Sequence, residues 1–358
     1  MSQPLLFQPF RLGRITLSNR VVMAPMTRNR SLGNVPGEIV ATYYAQRATA
    51  GLLITEGVSP SPNGVGYPRI PGLYNAAQIA GWRAVNEAVH AKGGHIFAQL
   101  MHTGRASHVN NLPAGATVLA PSAVALPEAI YVDGQGNLPA TLPTAMTEAQ
   151  IESALEEYAQ AAANAVEAGF DGVELHGANG YLMDQFLNAA SNVRTDRWGG
   201  SVENRIRFAL EATKRAAARI GADRVGIRLS PYGAFNGMNT DADTDALYTT
   251  LAGELGKLGL AYIHIVDHSA MGAPQVPATI KAAIRKAFGG TYILSGGYDA
   301  TRADADLQAG LGELVAFGRP FIANPTLVAK LQSGAALSPP DFASFYTPGP
   351  EGYTDYAA

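Results

Sequence analysis

Cysteine is absent from all 358 residues. That one gap excludes disulfides, zinc–thiolate sites, iron–sulfur clusters and a cysteine nucleophile together. Charge is sparse and nearly balanced: 15% of residues are charged, with 26 Lys and Arg against 29 Asp and Glu for a net charge of −3. Such a chain has no electrostatic means of recruiting nucleic acid or an anionic membrane. No apolar run reaches the roughly 18 residues that a membrane-spanning helix needs. The N-terminal stretch MSQPLLFQPFRLGRITLSNR lacks the basic start, long apolar core and cleavage site of a secretory signal. An unprocessed cytoplasmic protein is expected. Low-complexity tracts are missing too, whereas apolar residues make up 47% of the chain, enough for a large buried core.

Beyond a short hairpin pattern from Phe10 to Leu17 around Gly13, eight short apolar runs read as buried strands. They are Val21 to Met26, Leu52 to Glu56, Ile96 to Met101, Gly172 to Leu175, Val225 to Leu229, Ala261 to Val266, Tyr292 to Leu294 and Leu314 to Phe317. Amphipathic stretches separate them, with apolar residues at i, i+3 and i+4: Asn75 to Ala91, Glu148 to Ala168, Ser201 to Ile220, Asp243 to Leu258 and Thr279 to Phe288. Alternating strands and helices pair in parallel, and eight such units close a (β/α)8 TIM barrel. At about 150 residues per domain the length suggests two domains, but a barrel with insertions accommodates 1–358 as one. Thr147 and Ser201 mark helix starts. The segment Gly115 to Thr144, rich in Pro, Ala and Gly with a turn at Asp133-Gly134, is too long for a plain connection after strand three and reads as an excursion capping the catalytic face.

Barrels of this type place function at the C-terminal strand ends. There the chain has Thr27, Glu56-Gly57, Gln99 and Met101, Glu174 and His176, Arg228 and Ser230, Asp267 and His268, Gly296-Gly297, and Gly318-Arg319. The last two pairs sit in Gly-bearing turns on strands seven and eight. They read either as ordinary tight turns or as a phosphate cradle, glycine admitting backbone N–H groups close to an anion and Arg319 adding a planar charged fork. Thr27, Gln99 and Arg228 could then hydrogen-bond a flat heterocycle, Gln99 as donor and acceptor and Arg228 stabilising negative charge. Arg228 could instead merely neutralise Glu174 inside the barrel. After the fourth strand, His176, Asn179 and Tyr181 bring an imidazole, a carboxamide and a phenol together. The seven histidines form no compact metal-ligand motif such as H-E-x-x-H, and no metal is expected. Arg194, Arg197 and Arg205 are expected to pair with local acids, and Trp198 to pack. An isomerase or aldolase using His176 and Glu174 is one rival reading, weakened by the lack of a strand-end lysine for a Schiff base. A non-catalytic flavin carrier is another, and would need no positioned proton donor.

The motifs NRVVMAPMTR (Asn19 to Arg28), ITEG (Ile54 to Gly57), AQLMHTGR (Ala98 to Arg105), DGVELHGANGYLMDQF (Asp171 to Phe186), SNVRTDRWGGSVENR (Ser191 to Arg205), GIRLSP (Gly226 to Pro231), AFGRPFIANP (Ala316 to Pro325) and EGYTDY (Glu351 to Tyr356) occur in this order. Over nearly its full length the chain resembles the old yellow enzyme family of FMN-dependent ene-reductases. The resemblance implies tightly but non-covalently bound FMN, with Pro25, Met26 and Thr27 against the flavin ring. It is the threonine-containing branch that the chain resembles. Gly57 and Gln99 would meet the pyrimidine side, Arg228 the part that becomes anionic on reduction, and Gly296, Gly297, Gly318 and Arg319 the ribityl phosphate. His176 and Asn179 match the pair that binds the substrate oxygen, Tyr181 the proton donor, and Tyr67 and Tyr346 pocket aromatics. Met101 stands where many members carry tryptophan, so pocket shape does not transfer. The implied reaction is ping-pong: NADPH or NADH reduces FMN, and hydride then passes to the β-carbon of an α,β-unsaturated carbonyl or nitroalkene while Tyr181 protonates the α-carbon. The implied partners are small molecules, NAD(P)H and the enone or nitro substrate, with no nucleic acid and no membrane.

Overall fold

The computed structural model describes residues 3–357. All eight expected strands are present, as Val21–Met23, Leu52–Val58, Ile96–Leu100, Gly172–Gly177, Val225–Leu229, Tyr262–Ile265, Tyr292–Leu294 and Leu314–Phe317. Each pairs in parallel with its neighbours and the eighth closes on the first, giving the (β/α)8 barrel. Three boundaries differ from expectation by two residues or more. The first strand stops at Met23 instead of Met26, since Ala24 makes the last ladder bond to the Phe317 carbonyl (3.0 Å) and Pro25 has no N–H to continue it. The second runs on to Val58 through a register shift between Ile54 and Gly57. The fourth extends through His176 and Gly177, which pair with Arg228 and Leu229. His176 therefore belongs to a strand and not to the loop after it.

The N-terminal hairpin, Phe10–Leu12 with Ile15–Leu17, places Leu12 and Leu17 in one buried cluster with the barrel-interior residues Val22, Ile54, Phe97, Tyr262 and Ile293. The ring of Phe97 lies 5.9 Å from that of Tyr262. Both rings fit because two barrel positions are glycine: a Cβ at Gly172 would come within 2.5 Å of Phe97, and one at Gly226 within 2.3 Å of Tyr262. The outward faces of the strands, such as Val173 and Leu175, join the large cluster beneath the helices.

Among the helices, Ala76–His90, Glu148–Glu167, Thr244–Gly256 and Ala278–Phe288 fall within two residues of expectation, while Ser201 to Ile220 is interrupted at Ile206. Thr147 forms a full capping box with Gln150, each side chain accepting from the other's backbone N–H (2.8 and 3.3 Å). A helix not anticipated, Glu38–Gln46, ends at the fully buried Arg47, whose guanidinium stacks 3.8 Å from the Tyr43 ring centroid. Arg47, Arg28 and Arg30 together bind main-chain carbonyls of Phe321, Phe345, Ser344 and Gly352. These charge-assisted bonds tie the C-terminal segment, with Phe345 and Tyr346, across the catalytic end of the barrel.

The 115–144 excursion contains a hairpin, Ala129–Val132 with Gly136–Pro139, turning at Asp133-Gly134. Its ends are drawn together by a parallel pair between Leu119–Ala120 and Thr144–Ala145. Ile130, Tyr131 and Asn137 of this hairpin face the barrel mouth, as expected of a cap. Among the described residues no helix is long and apolar enough to cross a membrane.

Candidate active site

The barrel mouth opens into a cavity of about 1420 Å³. That exceeds the roughly 300–1,000 Å³ typical of a drug-sized ligand pocket, so it has room for more than one small ligand. Twelve of the expected site residues line it: Pro25, Met26 and Thr27 as the chain leaves strand one, Arg228, the turn residues Gly296, Gly297, Gly318 and Arg319, and Tyr67, Asn179, Tyr181 and Tyr346. His176, Gln99, Gly57 and Met101 do not reach its surface.

The departures have physical reasons. Met101 is buried, and its sulfur fills the space beside Gly57, where a Cβ would lie only 2.4 Å away. It packs with Val65 and Ile70 behind Tyr67 and Tyr181 and so shapes the pocket from behind, not as wall. Gln99 spends one amide hydrogen on Glu174 Oε1 (2.8 Å), while Glu174 Oε2 meets His264 Nδ1 at 2.9 Å. Burial raises the Glu174 carboxyl, but His264, Arg228 and Gln99 outweigh it and hold the group below the usual carboxylate range. Arg228 forms no salt bridge with Glu174, whose direct partner is His264, but each of the two charges favours the ionised form of the other. Buried Arg228 makes no side-chain hydrogen bond to any described residue, and its Nε is an orphan. A guanidinium held this way beside a cavity is costly unless a ligand supplies the acceptors.

His176 lies against Tyr181, ring centroids 5.1 Å apart, with its Nδ1 also unpartnered. Burial, then the charge of Arg228, pushes its pKa well below the usual imidazole value, so it is neutral. Burial and then the Tyr67 phenol push Tyr181 well above the ordinary tyrosine range, so it keeps its proton. Tyr67 stands edge-on to Tyr181 at 6.1 Å.

Asn179 adopts a left-handed backbone, φ +58°. Its N–H donates to Ser230 Oγ (2.9 Å) and its carbonyl accepts from Asn236 Nδ2 (2.8 Å). Ser230 Oγ in turn donates to buried Asp184 (2.9 Å), which also accepts from Gly180 N–H and Tyr248 Oη. Burial lifts the Asp184 pKa to about 6, against these hydrogen bonds. The stretch beyond Tyr181 is thus an anchor for the loop that carries Asn179, a role invisible in the sequence because Ser230 and Tyr248 are remote along the chain. Further on, Trp198 packs with Phe186 and Phe208, and Arg194, Arg197 and Arg205 pair with Asp196, Glu148 and Asp241, as expected.

At the other end, Gly296 (φ +122°) and Gly297 (φ +63°) use backbone regions that other residues avoid. Gly318 has open space beyond ordinary contacts with Met26 and Ala24, and exposed Arg319 stacks over Phe342 at 5.1 Å. Two glycine turns, a free guanidinium and room for close backbone approach fit a bound anion. Asp267 also faces this end but is paired with Lys281, so its charge does not oppose such an anion.

The profile of the NADH:flavin oxidoreductase / NADH oxidase family matches residues 5–338. The chain belongs to this family. Chanoclavine-I aldehyde reductase of Penicillium roqueforti (strain FM164) is 46% identical over 98% of this chain and 96% of the relative. The 12-oxophytodienoate reductase 7 of Oryza sativa subsp. japonica is 41% identical over 99% and 94%. Among solved structures, morphinone reductase superposes with a TM-score of 0.95 at 46% identity, covering 99% of this chain and 96% of that one. The old yellow enzyme homologue from Zymomonas mobilis does so at 0.95 and 39%, covering 99% and 100%. The family, an oxidoreductase scaffold that works with flavin and nicotinamide, sets aside the isomerase and aldolase readings.

Proposed function

We infer that the chain is an FMN-dependent ene-reductase of the threonine-containing branch, acting in the cytoplasm as one domain on α,β-unsaturated carbonyl compounds or nitroalkenes. The reading accords with the relatives, whose names describe reductases of an aldehyde, an oxophytodienoate and a morphinone. The observation that carries it is the convergence on one cavity of Asn179 and Tyr181, an unpaired buried Arg228 and a glycine–arginine cradle.

The residues fit FMN. Gly296, Gly297, Gly318 and Arg319 would hold its phosphate, Pro25, Met26 and Thr27 one face of its ring system, and Arg228 its electron-rich edge. Gln99 and Gly57 lie behind the cavity surface, Gln99 bonded to Glu174 and Gly57 covered by the Met101 sulfur. When bound, the flavin would accept hydride from NADPH or NADH and pass it to an activated alkene.

The chain's own residues then do three things. Asn179 donates a hydrogen bond to the substrate oxygen, and neutral His176, set behind the cavity surface against Tyr181, is the second donor once a ligand reaches it; both draw electron density from the β-carbon, and such bonds strengthen as enolate-like charge develops. Tyr181, kept protonated by burial, gives its proton to the α-carbon. Tyr67, Tyr346 and the capping hairpin wall the substrate in. The test is spectroscopic: purified protein should be yellow, bleach with anaerobic NADPH or NADH, and recover on adding 2-cyclohexenone. A colourless protein contradicts the flavin, and a yellow one that answers neither addition is only a carrier.

A further inference from the structure

His268, at the end of the sixth strand, is unused by this reaction as described, yet it faces the same cavity. Its Nε2 lies 3.2 Å from Asn179 Oδ1. The ring is wedged edge-on against Phe235 at 5.0 Å. Its loop is stiffened where Met271 N–H donates to the His268 carbonyl (2.8 Å) and Ser269 N–H to Asp267 Oδ1 (3.0 Å). Burial, then Arg228, lowers its pKa to about 4, so at neutral pH it carries one ring proton.

A carboxamide has two faces of opposite character, and a half-turn about its last bond exchanges donor for acceptor. The backbone of Asn179 is held by Ser230 and Asn236, but those bonds leave the amide free to turn. Only a donor at Oδ1 selects the orientation in which Nδ2 points away from His268. We propose that His268 is a positioning residue: its Nε2–H holds Asn179 Oδ1 so that the Asn179 Nδ2 hydrogens are directed at the substrate oxygen. This rests on the ene-reductase reading, in which Asn179 contacts that oxygen. In the flipped amide the carbonyl would face the substrate oxygen and repel it, so loss of His268 costs ligand affinity through the orientation of Asn179.

The test is a double-mutant cycle on the FMN-loaded enzyme, titrated with p-hydroxybenzaldehyde and followed by its long-wavelength charge-transfer absorption. His268→Phe, which keeps a flat ring without the donor, should weaken binding roughly tenfold, the factor that about 1.4 kcal/mol represents. His268→Gln, whose amide can still donate to Oδ1, should restore most of it. In an Asn179→Ala background, His268→Phe should change nothing. Equal weakening in both backgrounds, or undiminished binding in His268→Phe, overturns the positioning role. If Asn179→Ala alone leaves affinity unchanged, the assignment of Asn179 to the substrate oxygen is what fails. Should His268→Phe not retain FMN, His268→Leu, which also lacks the donor, carries the same cycle.

Discussion

The two ends of the cavity are built differently. At the end of the fourth strand, His176 is locked into the barrel ladder, and Asn179 is fixed through Ser230, Asn236 and Asp184. At the ends of strands seven and eight, Gly297 and Arg319 are exposed, and the guanidinium stacks over Phe342. The contrast follows from what each end must do. Donors that stabilise charge developing during a reaction act strongly only when their orientation is set beforehand, since reorganising them would forfeit the gain. An anion cradle gains its order from the ligand itself, whose charge and oxygens complete it.

Removing the rigid end should have the largest effect. His176→Ala with Asn179→Ala should lower turnover of 2-cyclohexenone by more than the roughly 3 kcal/mol assigned to one such donor, and abolish phenol charge-transfer bands while FMN stays bound. Retained ligand affinity would contradict the assignment. Next comes Tyr181→Phe, expected to slow the oxidative half-reaction by about 10²-fold or more while reduction by nicotinamide proceeds, as stopped-flow absorbance would show. Equal slowing of both halves counts against a proton donor. Because burial raises the Tyr181 pKa, its proton-bearing form persists as pH rises, so the wild-type oxidative rate should stay flat through about pH 9; a fall starting near pH 8 would refute a protonated, buried phenol.

The open end should be softer. Arg319→Ala, removing one exposed charged contact, should weaken FMN retention by about 1.5–3 kcal/mol with little change in turnover at saturating FMN, measured by flavin fluorescence on dilution. A loss of turnover that excess FMN does not restore would place Arg319 in the chemistry instead. Smallest is Thr147→Ala, far from both ends, which deletes a capping box and should cost about 1 kcal/mol in urea unfolding without altering ligand binding.

Much of this was legible along the chain. The eight apolar runs, the hairpin and the capping excursion each match an element, because burial of strands on both faces leaves a continuous apolar signature. Boundaries were harder where pairing, not composition, decides them: Gly177 continues a strand because Leu229 lies opposite, and Pro25 ends one. The short helix Glu38–Gln46 was missed because its buried face is mixed, with Val40, Tyr43 and Tyr44 beside the buried Arg47 just past its end.

By itself the sequence determined the barrel, the absence of cysteine chemistry, and the set of polar residues at the strand ends. Those properties are periodic or compositional, and a single chain carries them openly. Only the tertiary structure decided which of those residues meet. It committed Gln99 to Glu174 and folded Met101 back onto Gly57. It left Arg228 without a hydrogen-bond partner among the described residues and set His268 against Asn179, 89 residues away in the chain. Each outcome depends on barrel closure bringing distant strand ends within hydrogen-bond reach, and no local pattern encodes that distance.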